Sequence, residues 1–391
     1  MRKVILLTLV LLLTFTTMGF AAEVSGSLDS HLTVDIDEEE LDGKTEFNLI
    51  IEDDFGFDAD MKVDLGFLLH ENYENEVRIN EAYLNYYTMN SDWRLGKQEI
   101  NWGSGYKLNP TSYFNPQNLK AFDLIDENLA VRAVKSTYYT AGGLEISGVV
   151  APFFKGNGDL EETEKIADKF AKELSTEKLS FDDSANDIEN ELSDIQAGAK
   201  LTNRGFKGYD ISLSAYHGYD LLPSMIGADN DENLLLEYPE VNKLGFDLIG
   251  DVKDIGIWSE IVYNIYSEDY YDDTLNLVVG ADYNFDNDLY LVGQFYYRGE
   301  RVEQEPEIQA LNLYFSKPAF DFHEVEFTTL YDLESGSYMI KPQYNHSLVD
   351  SIELQLGAKI VDIDIDDELE GFSFGDSLGS NSIYTRLNVN F

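Results

Sequence analysis

From its first polar residues onward the chain alternates. Val24, Leu28, Leu32, Val34 and Ile36 fall on one face, and Ser25, Ser27, Asp29, His31, Thr33 and Asp35 on the other. A period of two predicts a strand with one apolar and one wet side. The last residues repeat the pattern, with Ile383, Leu387, Val389 and Phe391 set against Tyr384, Arg386, Asn388 and Asn390. Between them lie further segments of the same kind, such as Met61, Val63, Leu65, Phe67 and Leu69, or Leu275, Leu277, Val279, Ala281 and Tyr283. Each runs for about ten residues, the length a tilted strand needs to cross a bilayer. Gly, Asn, Asp and Pro clusters divide the chain into about 18 such strands, with a range of roughly 16 to 18. They start near 24, 44, 60, 77, 92, 129, 143, 194, 208, 241, 256, 274, 288, 308, 323, 337, 352 and 383. The expected fold is all-β: a transmembrane, antiparallel, up-and-down β-barrel.

The connections alternate in length. Segments 101–128, 154–193, 219–240 and 363–382 follow odd-numbered strands and are long, whereas Met89-Asn90-Ser91, Ala141-Gly142-Gly143 and Phe285-Asp286-Asn287-Asp288 follow even ones and are brief. Long outer loops and short inner turns characterise membrane barrels. Residues 159–191 break the two-residue period. Leu160, Ile166, Phe170, Ala171 and Leu174 recur there at helical spacing among Glu and Lys, which predicts one helical, acidic outer loop. At the start, Arg2 and Lys3 precede an apolar run that ends at Gly19-Phe20-Ala21-Ala22. That reads as a signal peptide over 1–22, leaving 23–391 as a single barrel domain destined for the outer membrane.

Composition adds two constraints. Aromatic residues are abundant (Tyr 25, Phe 23, Trp 3), as interfacial girdles require, and there is no Cys to form disulfides, thiolate metal sites or a nucleophile. The formal net charge is -47, with 74 acidic against 27 basic residues. Nucleic acid is therefore excluded as a partner, because phosphate binding needs a cationic face. Outer-membrane lipid and small hydrophilic solutes or cations are the expected partners; a high-salt habitat would account for the acidity equally well.

The most distinctive stretch is Leu95 to Leu119, LGKQEINWGSGYKLNPTSYFNPQNL, with Gly96, Gln98, Trp102, Gly103, Gly105, Tyr106, Lys107, Asn109-Pro110 and Asn115-Pro116. It resembles porin-like outer-membrane barrels, including the alginate-export-like group, in which a strand reading GxQ leads to WGxG and then to Asn-Pro turns; Asn80-Glu81-Ala82-Tyr83-Leu84 adds to the likeness. The resemblance covers about 40 residues. It implies a barrel with a constrained loop, which narrows the lumen if it turns inward. The terminal amphipathic strand ending in Phe391 similarly resembles the signal read by the barrel-assembly machinery. An alginate exporter would need a positive lumen, so the acidity favours a neutral sugar, a cation or mixed small solutes over a polyuronate.

Charged residues opposite the apolar set are candidates to line the pore: Arg132, Arg298, Arg386, Lys200, Arg78 and Arg94 as the basic group, Asp29, Asp35, Glu46, Asp64, Asp282, Glu326 and Glu353 as the acidic one. Segregated on opposed walls they would set up a transverse field. Asp362, Asp364, Asp366 and Asp367, and Asp229 with Asp231, offer at most weak Ca²⁺ binding, since neither cluster has the EF-hand glycine and distal glutamate. No cofactor is expected. None of the five histidines sits in a metal-ligand motif and no nucleophile elbow or phosphate loop occurs, so an enzyme is not expected; His217 near Asp220 and Ser224 is the one constellation to inspect. The expected function is passive passage of small hydrophilic solutes through the lumen. The alternatives are a surface-binding or structural barrel using its acidic outer loops, and a selective saccharide exporter.

Overall fold

A computed structural model describes residues 22–37, 39–71, 75–118, 128–157, 181–182, 194–228, 234–302, 307–362 and 380–391. Eighteen strands form one closed antiparallel sheet. In chain order they are β1 (Glu23–Asp35), β2 (Glu40–Asp54), β3 (Ala59–His70), β4 (Glu76–Tyr87), β5 (Ser91–Gln98), β6 (Val131–Tyr139), β7 (Leu144–Ala151), β9 (Gln196–Phe206), β10 (Tyr209–Tyr219), β13 (Glu240–Val252), β14 (Ile255–Tyr266), β15 (Thr274–Asn284), β16 (Tyr290–Arg298), β17 (Ile308–Phe320), β18 (His323–Asp332), β19 (Tyr338–Val349), β20 (Ile352–Asp362) and β21 (Ser382–Asn390). Three short strands, β8 (Phe181–Asp182), β11 (Ser224–Ala228) and β12 (Leu234–Glu237), make a small separate sheet. The barrel strands start within two residues of the sequence expectation except β2, which begins at Glu40, four residues before position 44. Residues 1–21, and all of 159–191 apart from Phe181–Asp182, lie outside the described residues, so the expected signal peptide and helical loop do too.

Each strand pairs with its sequence neighbour, and β1 closes on β21 from Ser27↔Asn390 to Asp35↔Ser382. Closure removes the sheet edge, which is what a bilayer demands of a β-structure, since unpaired backbone groups find no water there. The seam is sealed by reciprocal bonds, Gly26 N to Phe391 O at 2.9 Å and Phe391 N to Gly26 O at 3.0 Å. On the outside, the Phe391 ring stacks on Phe47 at 5.8 Å, and Phe47 packs on Phe67.

The alternation sorts the side chains as expected. Val24, Leu32 and Val34 are exposed on the outer wall while Asp29 and His31 are buried inside. The same outer wall carries Leu213, Leu244, Leu275, Val279, Leu313 and Ile383 in exposed positions. Apolar outside and polar inside inverts a soluble protein and fits hydrocarbon around the cylinder. Of the register shifts in the barrel, one bears on the lumen wall described below. A register shift between Asp64 and Leu65 opposite β4 makes Asn80 and Glu81 both face the lumen, where they bond to Asp64 and Lys62. Such a bulge re-aims a side chain without leaving the sheet.

Connections on one rim are tight. Lys207 and Gly208 join β9 to β10 with φ of 54° and 92°, the two positive values a two-residue hairpin turn needs. On the other rim lie the long connections, including 99–130 between β5 and β6. Because the chain has no native Cys, single-cysteine labelling tests this sidedness cleanly. In intact cells an impermeant maleimide should modify Asp272→Cys and Glu334→Cys at the long-loop rim and spare Asn90→Cys and Asp286→Cys at the short-turn rim. Equal labelling of all four overturns the topology.

Candidate functional site

The connection after β5 turns into the barrel. Gln98, fully buried at the end of β5, fixes the take-off by donating to Ala133 O at 2.9 Å. The chain then packs Trp102 against the wall at β9, where Lys200 donates to Trp102 O and pairs with Asp247 at 3.0 Å. Farther on, Tyr106 exchanges two bonds with the Gln294 amide of β16, 2.7 and 2.8 Å, and its ring lies 5.5 Å from that of Tyr314 on β17. Leu108 reaches the apolar patch of Ile308, Ala310, Leu330, Met339 and Val361 contributed by β17 to β20. There the loop reverses. Tyr113 returns to β10, with its hydroxyl 2.9 Å from Ser214 Oγ, and Phe114 meets Trp102 and Tyr216 edge-on at 5.4 and 5.1 Å. In a barrel of eighteen strands, a loop leaving the fifth and touching the fourteenth has crossed to the opposite wall.

One carboxylate holds the middle of this excursion. Glu260, inward on β14 and fully buried, accepts from Ser104 N at 2.5 Å, Gly105 N at 2.6 Å, Thr111 N at 3.0 Å and Thr111 Oγ1 at 2.8 Å. Outgoing and returning limbs are thus clasped by the same side chain. Oriented N–H groups make a pocket for a negative charge, and bonds to an ionised acceptor contribute roughly 1.5–3 kcal/mol each. A Cβ at Gly105 would lie 2.5 Å from Leu108 O, so only glycine lets the backbone come this close. At the mouth, Asn115 ties the loop's two ends together by accepting from Ile100 N at 2.7 Å and donating to Leu129 O at 2.8 Å. The Asn109-Pro110 pair forms the distal turn, closed by Ser112 N to Asn109 O at 3.0 Å. Lys107 takes φ of 64° beside it, with its ammonium 5.7 Å from the Tyr106 ring centre.

The loop packs on inward side chains of β6, β7, β10, β14, β16 and β17 and on the apolar patch that extends to Val361 of β20, while β21 and β1 to β5, with the Glu353 end of β20, present polar side chains to the passage. That wall is built of neighbouring opposite charges and amides. Arg386 donates to Asp29 through Nε at 2.7 Å, and His31 Nε2 approaches the same carboxylate at 2.7 Å. Arg78 pairs with Glu46 and donates to Asn80 at 2.7 Å; Lys62 pairs with Glu81 at 2.9 Å. Arg94 donates to Asn85 at 2.8 Å and lies over the Tyr83 ring at 4.0 Å. On the same stretch Asp64 accepts from Asn80, Glu353 from Gln355 and Asp35 from Ser380; outside it, Glu326 on β18 accepts from Asn345 and Asp282 on β15 from the Tyr290 hydroxyl. Arg298 faces inward opposite Asn276.

Three expectations need correction. Arg132 does not line the pore: it pairs across the sheet with Lys97 on the lipid-side face, because β6 turns Val131 and Ala133 inward to pack under the loop. Lys200 does face inward but lies beneath the loop as a clamp. Basic and acidic residues are not segregated on opposed walls: Arg386 and Lys62 have a carboxylate on the adjacent strand, Arg78 reaches Glu46 two strands away, and Arg94 bonds the Asn85 amide. The enzyme constellation does not assemble either, since His217 bonds Asn242 and Asp220 bonds Lys243 and Tyr266. Burial alone would raise the Asp220 carboxyl just past the end of β10, but Lys243 and Arg301 hold it well below the usual range. Asp364, Asp366, Asp367, Asp229 and Asp231 lie outside the described residues. Glu260 escaped the sequence reading although IWSEIVY carries a signal: a lone acid at an inward position between the inward Trp258 and Val262.

No protein-family model matches the chain, and no curated protein matches its sequence. Solved structures do match in architecture. OccK5 (OpdH) of Pseudomonas aeruginosa is similar over 95% of this chain and 97% of its own, with a TM-score of 0.58 at 8% identity. OccK11 (OpdR) of the same organism matches over 95% and 96%, with a TM-score of 0.57 at 9% identity. A porin mutant of Rh. blastica aligns over 95% and 100% at 11% identity, with a TM-score of 0.43. At these identities the likeness is one of fold.

Replacing Glu260 tests the clasp. Glu260→Ala leaves the buried donors of Ser104, Gly105 and Thr111 unmatched, which weakens docking of the loop by about 3 kcal/mol or more. The expected result is larger, noisier conductance steps in a planar bilayer and proteolytic nicking within 104–111. Wild-type conductance and protease resistance would show that Glu260 does not hold the constriction.

Proposed function

We propose that the chain is an outer-membrane channel through which small hydrophilic solutes pass down their gradients. The observation that carries this reading is the loop clasped across a polar lumen by Glu260, which narrows the cylinder on one side and leaves a wall of charges and amides on the other. A folding core alone would be better served by an apolar interior, since unmatched buried polar groups are costly. The open wall favours neutral polyhydroxylated or dipolar solutes and small cations. Its paired charges and amides supply both donors and acceptors, and the acidic excess of the chain sets the sign of the entrance field. In this reading the β21 strand ending in Phe391 serves as the signal for barrel assembly, as its seam position suits it to the last pairing step.

Single-channel recording of the refolded protein across a salt gradient tests the proposal. Discrete open steps with a reversal potential favouring cations are expected near neutral pH. Cation preference should decline as pH falls through about 4, where ordinary carboxylates take up protons and the paired arginines and lysines keep their charge. A silent bilayer with folded, heat-modifiable protein would sink the channel reading, and anion preference at neutral pH would overturn the assignment of the field.

A further inference from the structure

The position of Arg132 points to a binding site on the outside of the barrel. Lys97 on β5 and Arg132 on β6 are direct cross-strand partners on the lipid-side face. Both lie at the long-loop rim, where β5 ends and β6 begins, and Lys155 stands exposed just beyond the end of β7. Lys155 and Arg132 are the two like charges that act most strongly on Lys97. Among the described residues no carboxylate pairs with any of the three. Lys97 Nζ donates to Ile79 O at 2.5 Å, and the Arg132 guanidinium lies 5.7 Å from the Phe153 ring centre, so two of the cations are positioned without being neutralised. In a chain with 74 acidic and 27 basic residues, three neighbouring cations with no carboxylate partner among the described residues suit an external anion.

The surface beside them identifies its character. One step along the sheet toward the short-turn rim, Leu84, Leu95, Val134 and Val150 form a continuous cross-strand row, and all four are exposed on the outer wall. Two residues of strand separate the rows, about 7 Å. A cationic row at the rim above an apolar row matches an amphiphile whose anionic head sits at the interface and whose chains run down the wall. We propose that this face binds a phosphate-bearing lipid of the outer leaflet, with Lys97, Arg132 and Lys155 on the headgroup phosphate and Leu84, Leu95, Val134 and Val150 against the acyl chains. Arginine presents a planar fork to phosphate oxygens, and lysine a point charge. The site rests on the membrane placement proposed above but not on conduction.

Native mass spectrometry of the full-length refolded protein tests it, with diphosphorylated lipid A, phosphatidylcholine and inorganic phosphate as separate probes. Lipid A should survive detergent washing where phosphatidylcholine does not, and inorganic phosphate alone should bind far more weakly than the lipid. With each cation near a charged surface contributing about a fivefold change in affinity, the triple variant Lys97→Gln/Arg132→Gln/Lys155→Gln should lose on the order of a hundredfold. Lys317→Gln, an exposed cation elsewhere, should leave binding unchanged, and the triple variant should keep wild-type conductance and heat-modifiable mobility. Undiminished lipid A retention in the folded triple variant, equal retention of phosphatidylcholine, or phosphate binding as tight as lipid A would each overturn the proposal. A silent channel with intact lipid selection would sink the functional reading and leave this one standing.

Discussion

A sheet surrounded by hydrocarbon has to satisfy every backbone donor and acceptor within itself, and this constraint governs the barrel from its seam to its constriction. It forces β1 onto β21, and the seam sits where the first and last strands meet, with Phe391 bonded to Gly26. Once eighteen strands close, the cylinder is too wide for its own wall side chains to fill it. Something else must occupy the space. The 99–130 connection does so, and its backbone meets the same accounting: with limited water beneath the loop, its N–H groups need fixed acceptors. Glu260 and Gln294 are those acceptors.

Burying a carboxylate without a cation is expensive unless several donors converge on it. Four converge on Glu260, all from one loop. Loop and glutamate therefore depend on each other: the undocked loop would leave the charge bare, and the missing charge would leave the loop's donors unmatched. That mutual dependence turns a long connection into a fixed constriction. The aromatic cluster of Trp102, Tyr113, Phe114 and Tyr216 reinforces the clasp by filling the gap between the loop and β10.

The fold was largely legible in the sequence because a barrel wall has a strict period. Lipid on one side and water on the other make each strand report its orientation residue by residue, as in β1 and β21, where Asp29, His31 and Tyr384 of the polar faces read from the chain are buried inside. Legibility failed where the inner surface stopped being wet. On β6 the inward positions are Val131 and Ala133, because they lie under the loop, so an alternation rule that equates apolar with outward misplaced Arg132. The same covered zone hid the role of Glu260: its inward neighbours Trp258 and Val262 are apolar, and a rule that expects polar inward positions passes over the one acid set between them. The bulge at Asn80 and Glu81 was invisible for a related reason: two adjacent polar residues break the period that reveals strands.

Scarcity makes the cations informative. With so few in the chain, their placement separates three physical settings. Arg78, Lys62 and Arg386 each stand against a carboxylate on the wall left open, where a neighbouring anion fixes the side chain and keeps the local charge near zero. Lys200 and Lys243 are buried, one gripping the loop and one holding Asp220 at the end of β10. Among the described residues Lys97, Arg132 and Lys155 have neither arrangement. In the first two settings the counter-charge is built into the fold. At the outer rim, in the lipid reading proposed above, the counter-charge comes from headgroups beside a wall otherwise given to hydrocarbon.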